Sequence, residues 1–178
     1  RRRDEDVRSA EESPGGNVNN LAHRMTNQLE IEMREFGRQL YNEKVAYIFK
    51  VPEEMQQTPV DFFGFTPSGR AILIECKQVK RKCLPISATS NGLKPHQWNA
   101  LELAEKCGAI AILVWRNGEA TCTMPFWLVR KLVIGRKSIE WPLLGRENED
   151  GWQDAIRRLC LSSAGLDEQF QRAECLNT

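Results

Sequence analysis

The feature that most constrains the fold is the run Ala109-Ile110-Ala111-Ile112-Leu113-Val114-Trp115, apolar throughout and bounded by Gly108 and Asn117-Gly118. A half-buried strand alternates polar with apolar residues, and a membrane-spanning helix needs roughly 20 apolar residues in succession. A short unalternating run between turn residues therefore predicts a central strand buried on both faces. Such a strand needs partners on either side and cover above and below. The chain must build a sheet with helices packed on it, and its 178 residues suffice for one such domain.

The surrounding pattern supplies those parts. Leu21, Met25, Leu29, Phe36 and Leu40 recur at helical spacing and predict a first helix from about Asn20 to Asn42. Three strands follow, Val45 to Val51 closed by Pro52, then Val60 to Phe65 and Ala71 to Cys76 on either side of the turn Thr66-Pro67-Ser68-Gly69. After a basic loop, Pro95 opens a helix that ends before Gly108 and aligns Trp98, Leu101 and Ala104 on one face. Beyond the central run come a strand from Ala120 to Met124, a helix from about Pro125 to Ile134 and a terminal helix around Trp152 to Leu161. The class is mixed α/β with one sheet. Residues 1–20, with Ser13-Pro14-Gly15-Gly16 and almost no apolar content, are expected to form a disordered arm, leaving 21–178 as a single domain.

Lys plus Arg number 25 against 24 Asp plus Glu, which excludes a protein that works through bulk charge. Any nucleic-acid site must be a local patch. The six cysteines are not spaced as a zinc knuckle or a redox pair, and no apolar segment follows Arg1-Arg2-Arg3, so reduced thiols, no membrane association and a cytoplasmic location are expected.

The chemistry concentrates in the second and third strands. Asp61 and Glu75 lie 14 residues apart around the hairpin turn, so antiparallel pairing can set the two carboxylates side by side. The period of two puts Glu75 and Lys77 on one face. Burying two like charges is costly unless a cation neutralises them, and hard oxygen ligands suit Mg²⁺ or Mn²⁺. A lysine beside such a site can stabilise charge developing on a scissile phosphate. Glu-x-Lys alone is common on solvent-facing strands. Here it stands at a strand end with Asp61 of Pro59-Val60-Asp61 opposite, which is the layout of the PD-(D/E)xK nuclease core.

The sequence resembles the RecU Holliday-junction resolvase family, a branch of that superfamily. The matching pieces are Tyr41, Val45 to Pro52, Val60-Asp61-Phe62-Phe63-Gly64, Ile74-Glu75-Cys76-Lys77, Leu84-Pro85, His96-Gln97 and Gly135-Arg136-Lys137-Ser138-Ile139, in family order. The resemblance implies a restriction-endonuclease-like α/β fold and an Mg²⁺-dependent endodeoxyribonuclease, with Mn²⁺ able to substitute. It further implies that Asp61 and Glu75 bind the metal, that Gln97 completes its shell and that Lys77 serves the transition state. A family threonine two residues before the aspartate is Pro59 here, and Thr58, one residue further back, is the candidate replacement. For the acidic residue that the first helix contributes, Glu30 fits the helical spacing better than Glu32. The family's long projecting insertion before the aspartate is missing, because only nine residues take the chain from Pro52 to Asp61. Selectivity for a four-way junction therefore does not follow automatically.

Between positions 70 and 94, Arg70, Lys77, Lys80, Arg81, Lys82 and Lys94 face a single acid, Glu75, and make a basic patch where a phosphate backbone could run. Arg130, Lys131, Arg136 and Lys137 form a second basic group, and His96 at a helix start is a candidate phosphate contact rather than a general base. The expected partner is branched or four-way DNA, cut symmetrically by a homodimer. The alternatives are a restriction-like or repair nuclease acting on duplex DNA and a non-catalytic DNA-binding module on the same fold.

Overall fold

The computed structural model describes residues 27–52, 59–86, 92–118, 120–141 and 151–162. Helix α1 (Gln28–Asn42) leads into strands β1 (Tyr47–Lys50), β2 (Phe62–Phe65), β3 (Ala71–Gln78) and β4 (Cys83–Pro85). Helix α2 (Pro95–Lys106), strands β5 (Ile110–Asn117) and β6 (Ala120–Pro125), helix α3 (Phe126–Val133), strand β7 (Ser138–Glu140) and helix α4 (Trp152–Leu161) complete the order.

Five strands form one sheet in the order β1-β2-β3-β5-β6. The β3–β5 pair is parallel and the other pairs are antiparallel, so the sheet is mixed. The unalternating run occupies β5, between β3 and β6, and Trp115 at its end is 0% exposed. Both faces are covered, as a fully apolar strand requires. Ile72, Ile74 and Cys76 of β3 join Ile110, Ile112 and Val114 of β5 against Leu29, Met33, Phe36 and Leu40 of α1 and Ile156 and Cys160 of α4. On the other face Leu113 and Trp115 meet Leu101 of α2, Phe126 and Val129 of α3, and Leu84 and Ile139 of a small second sheet, β4-β7. The architecture is a mixed α/β sheet flanked by helices. No described helix is long and apolar enough to cross a membrane. Cys76, Cys83, Cys107 and Cys160 carry free thiols.

The structure corrects several boundaries. Strand β3 continues through Gln78 and β5 through Asn117, while β1 and β2 are shorter than the sequence suggests. The expected start of the first helix at Asn20 and the expected arm over residues 1–20 lie outside the described residues. Strands β4 and β7 fall where the sequence reads as loop. Each is three residues long with one fully buried apolar side chain, Leu84 or Ile139, too few for an alternation to register.

Gly64 explains how β1 closes onto β2. A Cβ there would overlap the Tyr47 carbonyl oxygen and lie 2.9 Å from Ile48 Cα. Gly64→Ala is expected to cost about 2–3 kcal/mol, in the range of overpacked sites. Urea unfolding followed by circular dichroism measures it, and an unchanged midpoint would contradict this packing.

Candidate active site

The hairpin register decides which side chains meet. Phe62 pairs with Ile74 and Phe65 with Ala71, so the same register extended one residue sets Asp61 opposite Glu75. Val51 N donates to Asp61 O at 2.9 Å, which fixes Asp61 from the β1 side as well. The Asp61 carboxylate accepts a 2.8 Å hydrogen bond from Cys76 N and is thereby drawn over the end of β3.

Glu75 is 0% exposed, and its Oε1 is held at 2.6 Å by Lys77 Nζ and at 2.6 Å by Gln97 Nε2. Gln97 comes from the third position of α2, where its Oε1 accepts hydrogen bonds from Lys94 N at 3.0 Å and from Lys77 Nζ at 2.9 Å. Its amide thus braces the Glu75–Lys77 pair and caps the helix that Pro95 opens. The Gln97 oxygen already accepts two bonds and its NH₂ faces Glu75, so in this arrangement it positions the carboxylate instead of offering a ligand oxygen.

Glu75 Oε2 is buried with no donor directed at it, and a proton held by Glu75 can be shared with the Asp61 carboxylate. Burial, followed by the charge of Asp61, pushes the Glu75 carboxyl up to about 8, against which the Lys77 charge works only in part. Asp61 is also raised, by burial first and by the Glu30 charge, while the Cys76 N–H, Lys50 and Lys77 oppose the shift. Burial lifts the Cys76 thiol well above its usual range, which excludes it as a nucleophile at neutral pH.

The α1 side adds a second ion pair. Glu30 is bonded to Lys50 Nζ, which also lies 5.7 Å from the centre of the Phe62 ring, and to Asn27 Nδ2 at 3.0 Å. Leu29 N donates to Gln78 Oε1 at 3.3 Å, tying the start of α1 to the end of β3. Glu32, the weaker of the two helix candidates, is turned to β5 and held by Arg116 at 2.5 and 3.0 Å, which lowers its carboxyl. Lys50 was not singled out by the sequence as part of the site. The signal was present, because Lys50 ends β1 opposite Phe62, the neighbour of Asp61.

Of the basic residues, Lys80, Arg81 and Lys82 are exposed in the turn that leaves β3 at the carboxylate end, with Lys82 O accepting from Trp141 N at 2.9 Å. Lys94 and His96 are partly exposed at the start of α2, and Arg136 and Lys137 are exposed just before β7. The β4-β7 pairing joins the turn after β3 and the segment before β7 in one small sheet. Arg70 does not belong with them. It precedes β3 at the opposite end, about 23 Å from Lys77 at strand rise, and its Nε donates to Gly108 O at 2.7 Å. Sequence proximity placed it in the patch, and strand direction carries it away. Arg130 is similarly taken up by Glu105 at 2.6 Å, and Lys131 lies over the Trp127 ring. Thr58 lies outside the described residues.

The donor chemistry suits a hard divalent cation. Two carboxylates share one end of the sheet, one carboxylate oxygen has no donor directed at it, and Lys77 supplies a single positive charge. Among the described residues no three His, Cys, Asp or Glu side chains converge as a metal cage. Mg²⁺ needs no such cage, since it keeps several waters and binds through one or two carboxylates together with substrate phosphate.

No family model matches the sequence, and no curated protein is similar to it. The chain is similar to a solved structure of Hjc from Archaeoglobus fulgidus, a Holliday junction resolvase from an archaeal hyperthermophile. The TM-score is 0.45 at 19% identity, covering 69% of this chain and 91% of that one.

The Glu75 shift has a measurable sign. Between its usual 4.5 and about 8, folded Glu75 keeps a proton that the unfolded chain releases, so stability falls as pH rises through that window. Metal-free protein is expected to lose melting temperature from pH 5 to 8, with the loss flattened in Glu75→Gln. Mg²⁺ should restore stability at pH 8, and at pH 7 calorimetry in two buffers should detect about one proton released per ion bound. An equal pH slope in Glu75→Gln would contradict the buried acid.

Proposed function

We propose that this chain is a metal-dependent endodeoxyribonuclease of restriction-endonuclease-like fold that hydrolyses phosphodiesters in branched DNA, four-way junctions included, as a homodimer. The observation that carries the reading is the convergence of Asp61, Glu75 and Lys77 at one end of the sheet with a buried carboxylate oxygen that has no donor directed at it. The resemblance to the RecU family at Asp61, Glu75, Lys77 and Gln97, though not at the family threonine, supports it.

Asp61 and Glu75 would hold Mg²⁺, or Mn²⁺ in its place, with Glu30 as a further carboxylate on the α1 side. When bound, such an ion supplies Lewis-acid polarisation and charge neutralisation at the phosphodiester. Lys77 sits with its ammonium between Glu75 and Gln97, 13% exposed, and can donate to a phosphoryl oxygen as its charge grows. Gln97 orients both partners of that pair. Lys80, Arg81 and Lys82 leave the site in the direction a phosphate backbone would take, and Lys94, His96, Arg136 and Lys137 would extend the track.

A second reading, a repair or restriction-like nuclease on duplex DNA, is favoured by the nine-residue step from Pro52 to Asp61, which leaves no room for a long junction-entering projection. A module that binds without cutting has no use for two carboxylates buried against each other, because they repel phosphate.

Cleavage of a four-way junction, a flap and the matching linear duplex in Mg²⁺ tests both readings. Asp61→Asn and Glu75→Gln are expected to abolish cutting while leaving DNA affinity largely intact. Lys77→Ala should lower the single-turnover rate about 10²-fold or more, the scale of one preorganised electrostatic group. Parent-like cutting by any of the three would overturn the site. Equal rates on junction and duplex would select the second reading.

The exposed turn makes a separate prediction. Changing Lys80, Arg81 and Lys82 together to Ala should flatten the slope of log affinity against log salt by about two to three units, on all DNA forms alike. An unchanged slope in the folded variant would place the track elsewhere.

A further inference from the structure

The sheet face that carries Asp61, Glu75 and Lys77 continues across β2 and β1 as a row of aromatic rings. Phe63 and Phe65 follow Asp61 at strand period, and Phe49 and Tyr47 stand opposite them in the β1–β2 register. Tyr41 at the end of α1 extends the row around the sheet edge. Successive ring centres are 5.7 Å apart for Tyr41–Tyr47, 5.5 Å for Tyr47–Phe49, 5.8 Å for Phe49–Phe63 and 4.9 Å for Phe63–Phe65. Over β3, β5 and β6 this face packs beneath α2 and α3. The row, by contrast, is open, with Tyr41 61%, Tyr47 53%, Phe65 42% and Phe49 38% exposed.

Between Tyr41, Tyr47 and Phe65 lies a cleft of about 520 Å³ that also takes in Asn42 and Lys44. Lys44 adopts φ 59°, a left-handed conformation uncommon away from glycine. Arg34, Arg38 and Tyr41 share one face of α1 by their spacing of four and three, and both arginines are exposed. Lys44 thus lines the cleft, and Arg38 lies one helical turn from Tyr41. From Phe65 back to Asp61 the strand covers about 13 Å, the length of roughly four stacked nucleotides.

We propose that the row Tyr41-Tyr47-Phe49-Phe63-Phe65 is a stacking platform for unpaired nucleobases of the strand engaged at Asp61 and Glu75. The proposal rests on the nuclease reading and adds what that reading lacks, a way to recognise unpaired strand beside a branch. Every base has a π-face, so a ring platform binds unpaired bases without regard to sequence, while flanking cations follow the phosphates. A duplex keeps its bases stacked on one another and offers the rings nothing. The platform therefore selects departures from pairing without a projecting insertion.

A second copy of the chain is the competing occupant. The exposed rings present roughly 400 Å² per chain, so two copies would bury about 800 Å² through them, below the 1,200 Å² at which specific stable interfaces begin. Lys44 and Arg38 would also repel their symmetry mates.

Tyr41 and Tyr47 are the only tyrosines in the chain, so protein labelled with 3-fluorotyrosine carries its ¹⁹F probes on the platform alone. In EDTA, where no cutting is required, titration with a 15-nucleotide oligothymidylate is expected to shift both resonances to saturation, whereas a fully paired duplex shifts them little. Phe65→Ser and, separately, Phe49→Ser should each weaken oligothymidylate binding about tenfold, within the range for one base stacked on a ring. Neither should change Mg²⁺ affinity. Resonances that ignore oligothymidylate overturn the platform, as do resonances that move with protein concentration alone in step with sedimentation, which would make the row a contact between copies. The two readings fail separately: a chain that shifts but never cuts any substrate in Mg²⁺ loses the nuclease reading, and one that cuts without shifting loses the platform.

Discussion

Two carboxylates placed against each other in a nearly dry site are the constraint that the surrounding structure answers. Asp61 and Glu75 would repel if both were ionised, and burial denies them water to spread the charge, so Glu75 holds its proton up to about pH 8. Each neighbouring element contributes a remedy. Strand β3 supplies the Cys76 N–H and, two residues past Glu75, the ammonium of Lys77. Helix α2 begins where it does so that Gln97 can reach Glu75 while capping its own first turn. Strand β1 ends on Lys50, whose charge favours the ionised form of Asp61 from the other side. These remedies compensate incompletely, as the Glu75 oxygen with no donor directed at it records. A site balanced in that way has a standing affinity for added positive charge.

The sheet separates this chemistry from its own reinforcement. At the carboxylate end, side chains are ionic and backbone contacts serve to aim them. At the opposite end, Arg70 closes onto the Gly108 carbonyl and Thr66 bonds Ser68 at 2.8 Å inside the hairpin turn, contacts that hold strands together and touch no site residue. Along the edge, Arg157 of α4, steadied by Asp154 of the same helix, binds Glu43 just past α1, while Glu32 and Arg116 tie α1 to β5. Helix α1 is thus fastened at several places, which keeps Glu30 at the sheet end.

What the sequence disclosed follows from how local its signals are. The apolar run of β5 is a strand by itself, and the turn at Pro67 to Gly69 fixes the register that sets Asp61 against Glu75. Both are readable because period and turn chemistry act over a few residues. Arg70 was misplaced because counting charges along the chain ignores that an extended strand moves its ends far apart. Lys50 and Glu30 lie 20 residues apart on different elements, and no short-range pattern announces such a pair. The hydrogen bonds of Gln97 were equally hidden. A glutamine near a helix start is legible as a cap, but its reach to Glu75 depends on where the whole helix docks. Strands β4 and β7 are sheet only because each finds the other across the intervening chain.

The parallel pairing of β3 with β5 joins residues 38 positions apart, whereas β1, β2 and β3 pair through connections several-fold shorter. Closure of the longer loop is the slower event, since its entropy must be lost before any contact repays it. The three-stranded meander can accordingly form while its far side is still open to water, with Asp61 and Glu75 hydrated and their repulsion screened. Only when α2 folds across and β5 docks do the carboxylates lose that solvent, at the same step that delivers Gln97. Burial of the two carboxylates and delivery of Gln97 thus belong to one part of the topology, the long β3–β5 crossover that carries α2.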